Sequence, residues 1–197
     1  MLNPSLIALV TLGGVILCWL IFVVVFVFRR SPPKQTEAKR DRSAFLGIFL
    51  QMCGYALAWF QPPHKPFLPQ VFTGGAEIAF SVFTIGLAVG SVWLVAAAVQ
   101  VLGKQWAIAA RLVEGHKLIT AGPYAYVRNP IYTGMLGMLI ASGLAMEHWI
   151  ALGIAIVLFM VGLVIRVRTE EKLLRSAFGK EFDDYAARVS AVIPGIY

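Results

Sequence analysis

Long apolar runs alternate along the chain with short polar connections. Five apolar runs have the length of membrane helices, namely residues 5–28, 44–60, 76–102, 131–146 and 149–165. A helix needs roughly 20 apolar residues to cross a bilayer, and shorter ones can pack inside a bundle. Only residues 147 and 148 separate the last two runs, which is the spacing of two antiparallel helices. The pattern predicts an all-α, polytopic membrane protein with about five transmembrane helices.

One long polar interval, residues 115–134, lies between apolar runs and reads GHKLITAGPYAYVRNPIYTG. Its Gly122-Pro123 and Asn129-Pro130 pairs are turn signals, so the interval cannot be a lipid-facing helix. Irregular backbone beside a membrane is a place where ligand-binding groups converge. We therefore predict a loop or broken helix that carries a site.

The tail after residue 165 is amphipathic, since its apolar side chains recur at helical spacing: Leu173, Leu174, Ala177, Phe178, Phe182, Tyr185, Ala186 and Val189. This spacing predicts C-terminal helices that lie over the polar interval. Thr169 is the expected N-cap of the first, with Glu170 and Glu171 in its first turn, and Gly179 is the expected break.

Composition and charge support the membrane assignment and suggest a topology. The chain is 59% hydrophobic and 14% charged, whereas soluble domains have roughly 25% charged residues. Of its 17 Lys and Arg residues, 16 fall in 29–42, 103–130 and 166–197. By the positive-inside rule these segments are cytoplasmic and the N-terminus is outside, as in a bacterial-type inner membrane. The charge of +7 is thus explained by topology and not by nucleic-acid binding.

Three other features have structural interpretations. Residues 29–44 are expected to form a solvated loop beside the membrane. Gln51 is interpreted as a polar contact between helices, and not as a ligand-binding group. Gly86 and Gly90 have the GxxxG spacing of close helix packing, with dimerisation as the alternative, so the oligomeric state stays open.

Several chemistries are not supported by the sequence. The three histidines lie on different predicted sides, His64 and His148 outside and His116 inside, and no Cys or His pair has ligand spacing, so no metal site is predicted. The phosphate-binding patterns GxxxxGK[ST] and GxGxxG are absent, as is the GxSxG of serine hydrolases.

Two groups of residues carry the candidate chemistry. The first is His116, Tyr124, Arg128, Asn129 and Tyr132, and the second is Arg166, Arg168, Glu170 and Glu171. The hairpin topology predicts that both groups meet at one end of the bundle. Structural alternatives remain open, because arginine and tyrosine are common anchors at membrane interfaces and carboxylates are favoured in the first turn of a helix.

The ordered motifs resemble a known family. They are Gly115-His116-Lys117-Leu118, Gly122-Pro123-Tyr124, Arg128-Asn129-Pro130-Ile131-Tyr132 and Gly134, then Glu170-Glu171 and Phe178-Gly179 after the hydrophobic hairpin. This set is similar to the isoprenylcysteine carboxyl methyltransferase family and its phospholipid methyltransferase relatives. The resemblance covers about residues 103–194, whereas the N-terminal helices match only as generic membrane spans.

The resemblance implies one membrane-embedded domain over 1–197, with N-terminal transmembrane helices in 1–102 and a catalytic, S-adenosylmethionine-binding half in 103–197. By that similarity the cofactor pocket is lined by His116, Leu118, Tyr124, Arg128, Asn129, Pro130, Tyr132, Glu170 and Glu171. The candidate catalytic residues are Arg128, Arg166 and Glu171, and Arg128 with the Arg166 and Arg168 pair would orient an acceptor carboxylate. The partners implied are membrane lipid and a lipophilic or lipidated methyl acceptor.

The residue types also fit such a reaction on physical grounds. S-adenosylmethionine has a sulfonium cation, an amino-acid zwitterion and an adenosine, so its pocket needs carboxylates, polar donors and aromatic walls. Carboxyl O-methylation of an isoprenylcysteine-like substrate is the leading expectation, because an ionised carboxylate needs no general base. A phospholipid amine N-methyltransferase would need one, for which Glu170, Glu171 or His116 could serve. A noncatalytic membrane scaffold or transporter is the alternative from another class.

Overall fold

The computed structural model describes residues 4–28, 37–40, 43–60, 75–103, 111–113 and 117–195. Within these ranges the α-helices are α1 (Pro4–Phe28), α2 (Ser43–Trp59), α3 (Gly75–Leu102), α4 (Pro130–Met146), α5 (Trp149–Phe178) and α6 (Lys180–Ala186). Two short strands, β1 (Glu37–Arg40) and β2 (Arg111–Val113), pair in an antiparallel sheet, and Gly122–Ala125 form a 3₁₀ helix.

The five apolar runs are confirmed as helices α1 to α5. By length and composition α1, α3 and α5 are able to cross a membrane, and α2 and α4 are shorter apolar helices of 17 residues each. At 1.5 Å per residue, 17 residues span about 25 Å, slightly less than a hydrocarbon core. Glu147, in the left-handed conformation with φ 55°, closes the predicted hairpin between α4 and α5. The protein is an all-α, polytopic integral membrane protein.

Helix α4 lies between the two main hydrophobic clusters of the described chain. One cluster joins α1, α3 and α4, and the other joins α2, α4, α5 and the segment at Ala191 and Val192. Trp19 of α1 touches both, since its Nε1 donates to Ser142 Oγ of α4 at 2.8 Å and its ring lies edge-on to Tyr55 of α2. Helix α4 is therefore held in place from several sides.

Helices α2 and α5 approach so closely that their backbones touch at two glycines. A Cβ at Gly162 would lie 2.6 Å from the Gly47 carbonyl oxygen, and one at Gly47 would lie 2.7 Å from the Gly162 carbonyl oxygen. Both distances are shorter than a carbon and an oxygen tolerate, so only glycine permits this crossing. The crossing fixes the position of the next turn of each helix, where Gln51 and Arg166 lie.

The glycine pair predicted to mediate packing, Gly86 and Gly90, does not lie at a helix contact of the described chain. A Cβ at Gly86 or Gly90 would meet no heavy atom of the described chain within 4 Å. The buried face of α3 contains Ala88, Ser91 and Val95 instead, and the close approach is made by Gly134 of α4, whose Cβ would lie 2.8 Å from the Ser91 carbonyl oxygen. The prediction of close packing within the chain at Gly86 and Gly90 was wrong, and dimerisation through them stays a prediction.

The glycine contact gives a first testable prediction. We expect Gly162→Ala to lower the free energy of unfolding by about 1–3 kcal/mol, because α2 and α5 must separate to admit the methyl group. Gly153→Ala is the matched control, since it lies on the same helix with nothing within 4 Å of its Cβ. Alanine is the better helix former, so the control should be neutral or stabilising. Thermal unfolding in detergent measures both, and equal midpoints would contradict the close crossing.

Helix α5 continues beyond its apolar part, contrary to the expected separate tail helix. Thr169 is not an N-cap, because it lies inside α5 and its Oγ1 donates to the Ile165 carbonyl at 2.8 Å. No Gly or Pro occurs between Leu163 and Phe178, so nothing local stops the helix where its side chains become polar. The predicted break at Gly179 is confirmed by its φ of 51°.

The linker between α1 and α2 also differs from the expectation. Residues Glu37–Arg40 are paired as strand β1 with Arg111–Val113, so this part of the expected solvated loop has a fixed backbone partner. Short strands of mixed charge have no strong apolar alternation, which is why the sequence pattern does not predict them. The sheet joins the linker to the chain that leads into the polar interval.

Candidate functional site

The polar interval and the C-terminal segment are joined by backbone hydrogen bonds. Val127 and Ser190 form a parallel β-bridge, Arg128 N–H donates to the Ser190 carbonyl at 2.8 Å, and Asn129 N–H donates to the Ala191 carbonyl at 3.0 Å. The left-handed Gly122, with φ 62°, and Pro123 start the 3₁₀ helix that turns the chain toward this bridge. The predicted meeting of the two segments at one end of the bundle is confirmed.

Side chains strengthen this junction. Tyr185 Oη donates to the Tyr124 carbonyl at 2.6 Å, Asn129 Nδ2 donates to the Ala191 carbonyl at 2.9 Å, and Thr133 Oγ1 donates to the Val192 carbonyl at 2.6 Å. Burial raises the pKa of Tyr185 to about 12, so its phenol remains a neutral donor at physiological pH. The C-terminal segment is thus part of the site and not a loose tail.

Arg128 connects three parts of the chain. Its Nε and Nη2 each lie 2.9 Å from Glu171 Oε1, and its Nη1 donates to the carbonyls of Ala186, at 2.8 Å, and Val189. The Arg128 and Glu171 side chains are only 9% and 17% exposed, so solvent and salt screen this pair weakly. The guanidinium therefore fixes both the Glu171 carboxylate and the chain after α6.

A second set of contacts runs across α4, α5 and α2. Tyr132 Oη donates to Glu170 Oε1, and Arg166 Nη2 lies 3.7 Å from the same oxygen. The Arg166 guanidinium lies 4.7 Å from the Tyr132 ring centre, which is cation–π geometry, and its Nη1 donates to Gln51 Oε1 at 3.2 Å. Together with Arg128 and Glu171 these residues form what we call the polar cluster: Gln51, Arg128, Tyr132, Arg166, Glu170 and Glu171.

The other predicted site residues lie around or outside the polar cluster. Asn129 and Pro130 start α4, Tyr124 is buried with its pKa raised by burial, and Leu118 is half-buried. Arg168 is exposed and makes none of the cluster's contacts. His116 lies outside the described residues.

Two members of this arrangement were not predicted as site residues. The sequence pattern predicts Gln51 only as a polar contact between helices. It predicts Tyr185 only as an apolar side chain on an amphipathic helix. For Gln51, the signal in the sequence is a long polar side chain in an otherwise apolar run. For Tyr185, nothing local shows that its hydroxyl reaches a backbone carbonyl 61 residues earlier.

The structure is that of a helical membrane protein whose partly buried polar cluster lies where α4 meets α5 and α2. The family model described as phospholipid methyltransferase matches residues 80–181, which is 102 of the 197 residues. The chain belongs to this family of membrane methyltransferases, so the resemblance is confirmed. Methyltransferase family membership implies S-adenosylmethionine as the methyl donor in general.

Curated relatives with different names are similar to the chain. The nickel-cobalt-cadmium resistance protein NccN of Alcaligenes xylosoxydans xylosoxydans is 31% identical over 147 residues, 67% of this chain and 68% of that protein. The cobalt-zinc-cadmium resistance protein CzcN of Cupriavidus metallidurans is 36% identical over 101 residues, 47% and 43%. Protein-S-isoprenylcysteine O-methyltransferase B of Arabidopsis thaliana is 33% identical over 85 residues, 43% of each chain. The match spans less than half of the last two relatives.

Two of these relatives are named for metal resistance, which raises the question of a metal site in this chain. In the part that the structure describes, no group of three or more His, Cys, Asp or Glu side chains is placed to hold a metal ion. The carboxylates of Glu170 and Glu171 are instead paired with arginines.

Proposed function

We propose that this protein transfers a methyl group from S-adenosylmethionine to a lipophilic acceptor at the polar cluster. The observation that best supports this proposal concerns the hydrogen bonds of the two carboxylates in the cluster, Glu170 and Glu171. All described contacts of Glu170 and Glu171 fall on Oε1, so Oε2 of each accepts no hydrogen bond from a described residue. Their side chains keep 26% and 17% exposure at the end of the bundle. Two available carboxylate oxygens suit a ligand with cationic centres.

The donor set also fits the rest of this cofactor. A sulfonium and an ammonium group are held by carboxylates, which Glu170 and Glu171 supply. When bound, S-adenosylmethionine supplies an electrophilic methyl carbon. The chain itself contributes fixed geometry, because Arg128 holds Glu171 and the C-terminal segment in place.

For the acceptor, we propose carboxyl O-methylation of an isoprenylcysteine-like lipid. Arg166 supports it, since a cation that is only 6% exposed at the side of the cluster would attract a carboxylate. A carboxylate is ionised at neutral pH, so no residue has to remove a proton. Relatives named protein-S-isoprenylcysteine O-methyltransferase are consistent with this choice.

A phospholipid amine is the second candidate acceptor, supported by the description of the matching family. Its nitrogen must lose a proton before transfer, and Glu170, Glu171 or His116 would have to accept it. A noncatalytic membrane protein of the same fold is the third candidate, supported by the relatives named for metal resistance.

Two measurements separate these candidates. Saturable binding of S-adenosylmethionine to the detergent-solubilised protein is expected for either enzyme and not for a scaffold. Labelled cofactor is then supplied with a prenylcysteine analogue or with phosphatidylethanolamine, and the lipid products are identified by mass spectrometry. We expect labelled methyl ester from the prenylcysteine analogue. Label only in phosphatidylethanolamine would favour N-methylation.

We also propose that the site faces the cytoplasm of a bacterial-type inner membrane, because 16 of the 17 basic residues then lie inside. In a variant without Cys18 and Cys53, we expect a cysteine introduced at Asn3 to be labelled from outside intact cells. A cysteine introduced at Gly195 should be labelled only after the membrane is opened. Labelling of both from the same side would contradict five spans.

A further inference from the structure

Gln51 has a donor that no described residue uses. It lies in the middle of α2 and is 1% exposed, with its Oε1 accepting from Arg166 Nη1. Its Nε2 is buried and has no hydrogen-bond partner within the described chain. A buried amide N–H without an acceptor costs free energy that an apolar residue would avoid. The position is therefore suited to a ligand that brings the missing acceptor.

Packing fixes the direction of this amide. A Cβ at Gly162 would lie 3.1 Å from Gln51 Cγ, so α5 holds the side chain's stem closely. Exchanging the amide oxygen and nitrogen would set the Nε2 donor against the Arg166 guanidinium, which has only donors. The oxygen therefore faces Arg166, and the amide nitrogen keeps its N–H groups for another acceptor.

Charge indicates what that acceptor is, provided that the proposed function holds. The two ion pairs, Arg128 with Glu171 and Arg166 with Glu170, are together neutral. S-adenosylmethionine has two positive groups and one negative group, so it adds one positive charge. A net charge in a partly desolvated site is costly, and a second ligand with one negative charge restores neutrality.

We propose that Gln51 Nε2 and the Arg166 guanidinium together bind an anionic oxygen of the acceptor head group, either of a carboxylate or of a phosphate. Gln51 is then an acceptor-specificity residue, and not only a contact between helices. It lies outside residues 80–181, which the family model matches. Acceptor choice would accordingly be set in part by the N-terminal half of the chain.

The test measures equilibrium binding affinities in detergent, without methyl transfer. It compares two ligands in each pair, which differ in one charge. The first pair is a prenylcysteine analogue with a free carboxylate and its methyl ester. We expect the wild-type protein to bind the carboxylate about ten-fold more tightly than the ester, and Gln51→Met to lose most of this preference. The second pair, a phosphatidylmethanol and the diacylglycerol with the same chains, differs by one phosphodiester charge and reports phosphate in the same way.

Two further variants make the result specific. Gln51→Glu keeps the size and the oxygen facing Arg166 but adds a negative charge, so it should reverse the carboxylate preference if the proposal holds. Thr84→Val is the matched control, because Thr84 is also fully buried and its Oγ1 bonds only within its own helix, to the Phe80 carbonyl. This control should keep the wild-type preference.

The outcomes separate the two proposals. If Gln51→Met and Gln51→Glu keep the wild-type preference for both ligand pairs, Gln51 is a helix contact and this inference is overturned, whatever the enzyme does. If the preference depends on Gln51 but the wild-type protein binds no S-adenosylmethionine, the anion site stands and the proposed methyl transfer falls. Dependence in the phosphate pair alone would assign the site to a phospholipid.

Discussion

Replacing Arg128 with lysine should destabilise the protein by about 2–3 kcal/mol and reduce methyl transfer at least ten-fold. The guanidinium donates to Glu171 through two nitrogens and to two backbone carbonyls through the third. Lysine keeps the charge, but its three donors sit on one atom and cannot span these acceptors. Two part-buried carbonyls then lose their donor and the Glu171 carboxylate loses its orientation, which together costs roughly 2–3 kcal/mol.

The effect should reach the cofactor as well as the fold. Calorimetry with S-adenosylmethionine is expected to show weaker binding by Arg128→Lys, since Glu171 loses its orientation, and thermal unfolding reports stability. Arg175→Lys is the control, because its ion pair with Asp183 at 2.6 Å is about half exposed and such pairs contribute little. Near wild-type turnover and affinity in folded Arg128→Lys would leave Arg128 as an interface anchor.

The family resemblance implies two roles for Arg128, namely contact with the cofactor and orientation of an acceptor carboxylate. In the structure its donors are directed to Glu171 and the C-terminal segment, so the geometry favours a positioning role. The acceptor role then rests mainly on Arg166. A loss of acceptor affinity in Arg128→Lys, with unchanged cofactor affinity and unfolding midpoint, would restore the role in orienting an acceptor carboxylate.

Glu171→Gln should weaken S-adenosylmethionine binding by about 1.5–3 kcal/mol, or roughly ten- to a hundred-fold. The amide keeps an oxygen that can accept from Arg128, but it cannot match the charge of a sulfonium or ammonium group. It also leaves the Arg128 cation, only 9% exposed, without its carboxylate. Calorimetry measures the dissociation constant directly.

Lys172→Gln is the matched control for this change, since it alters one charge at the next position of α5 and its side chain is exposed. We expect its cofactor affinity to stay within a factor of about two, as for most surface substitutions. Equal losses in both variants would show that Glu171 acts only through the general charge of the helix end. A loss in Glu171→Gln alone supports its place at the cofactor.

Much of the architecture could be predicted from the sequence, because membrane helices are determined by local composition. The apolar runs of about 16 to 27 residues, the hairpin at Glu147 and His148, and the stop at Gly179 each depend on residues near in sequence. The meeting of residues 115–134 with the tail also followed, because an antiparallel hairpin returns the chain to the same end of the bundle.

Contacts between distant residues could not be predicted in the same way. Thr169 resembles an N-cap in sequence, yet α5 continues through it, and its hydroxyl bonds back to the Ile165 carbonyl. Gly86 and Gly90 have the spacing of a packing motif, but the neighbours of α3 lie on another face. Gln51 and Arg166 are 115 residues apart, and only the crossing of α2 and α5 shows that they touch.

The bridge between residues 127–129 and 190–191 has a consequence for biosynthesis. Chains are synthesised from the N-terminus, so the segment around Val189 and Ser190 leaves the ribosome after residues 127–129. Until then Arg128 lacks the Val189 carbonyl and the backbone partners of Arg128 and Asn129 are missing. The contacts that hold the polar interval can therefore form only late in the synthesis of the chain.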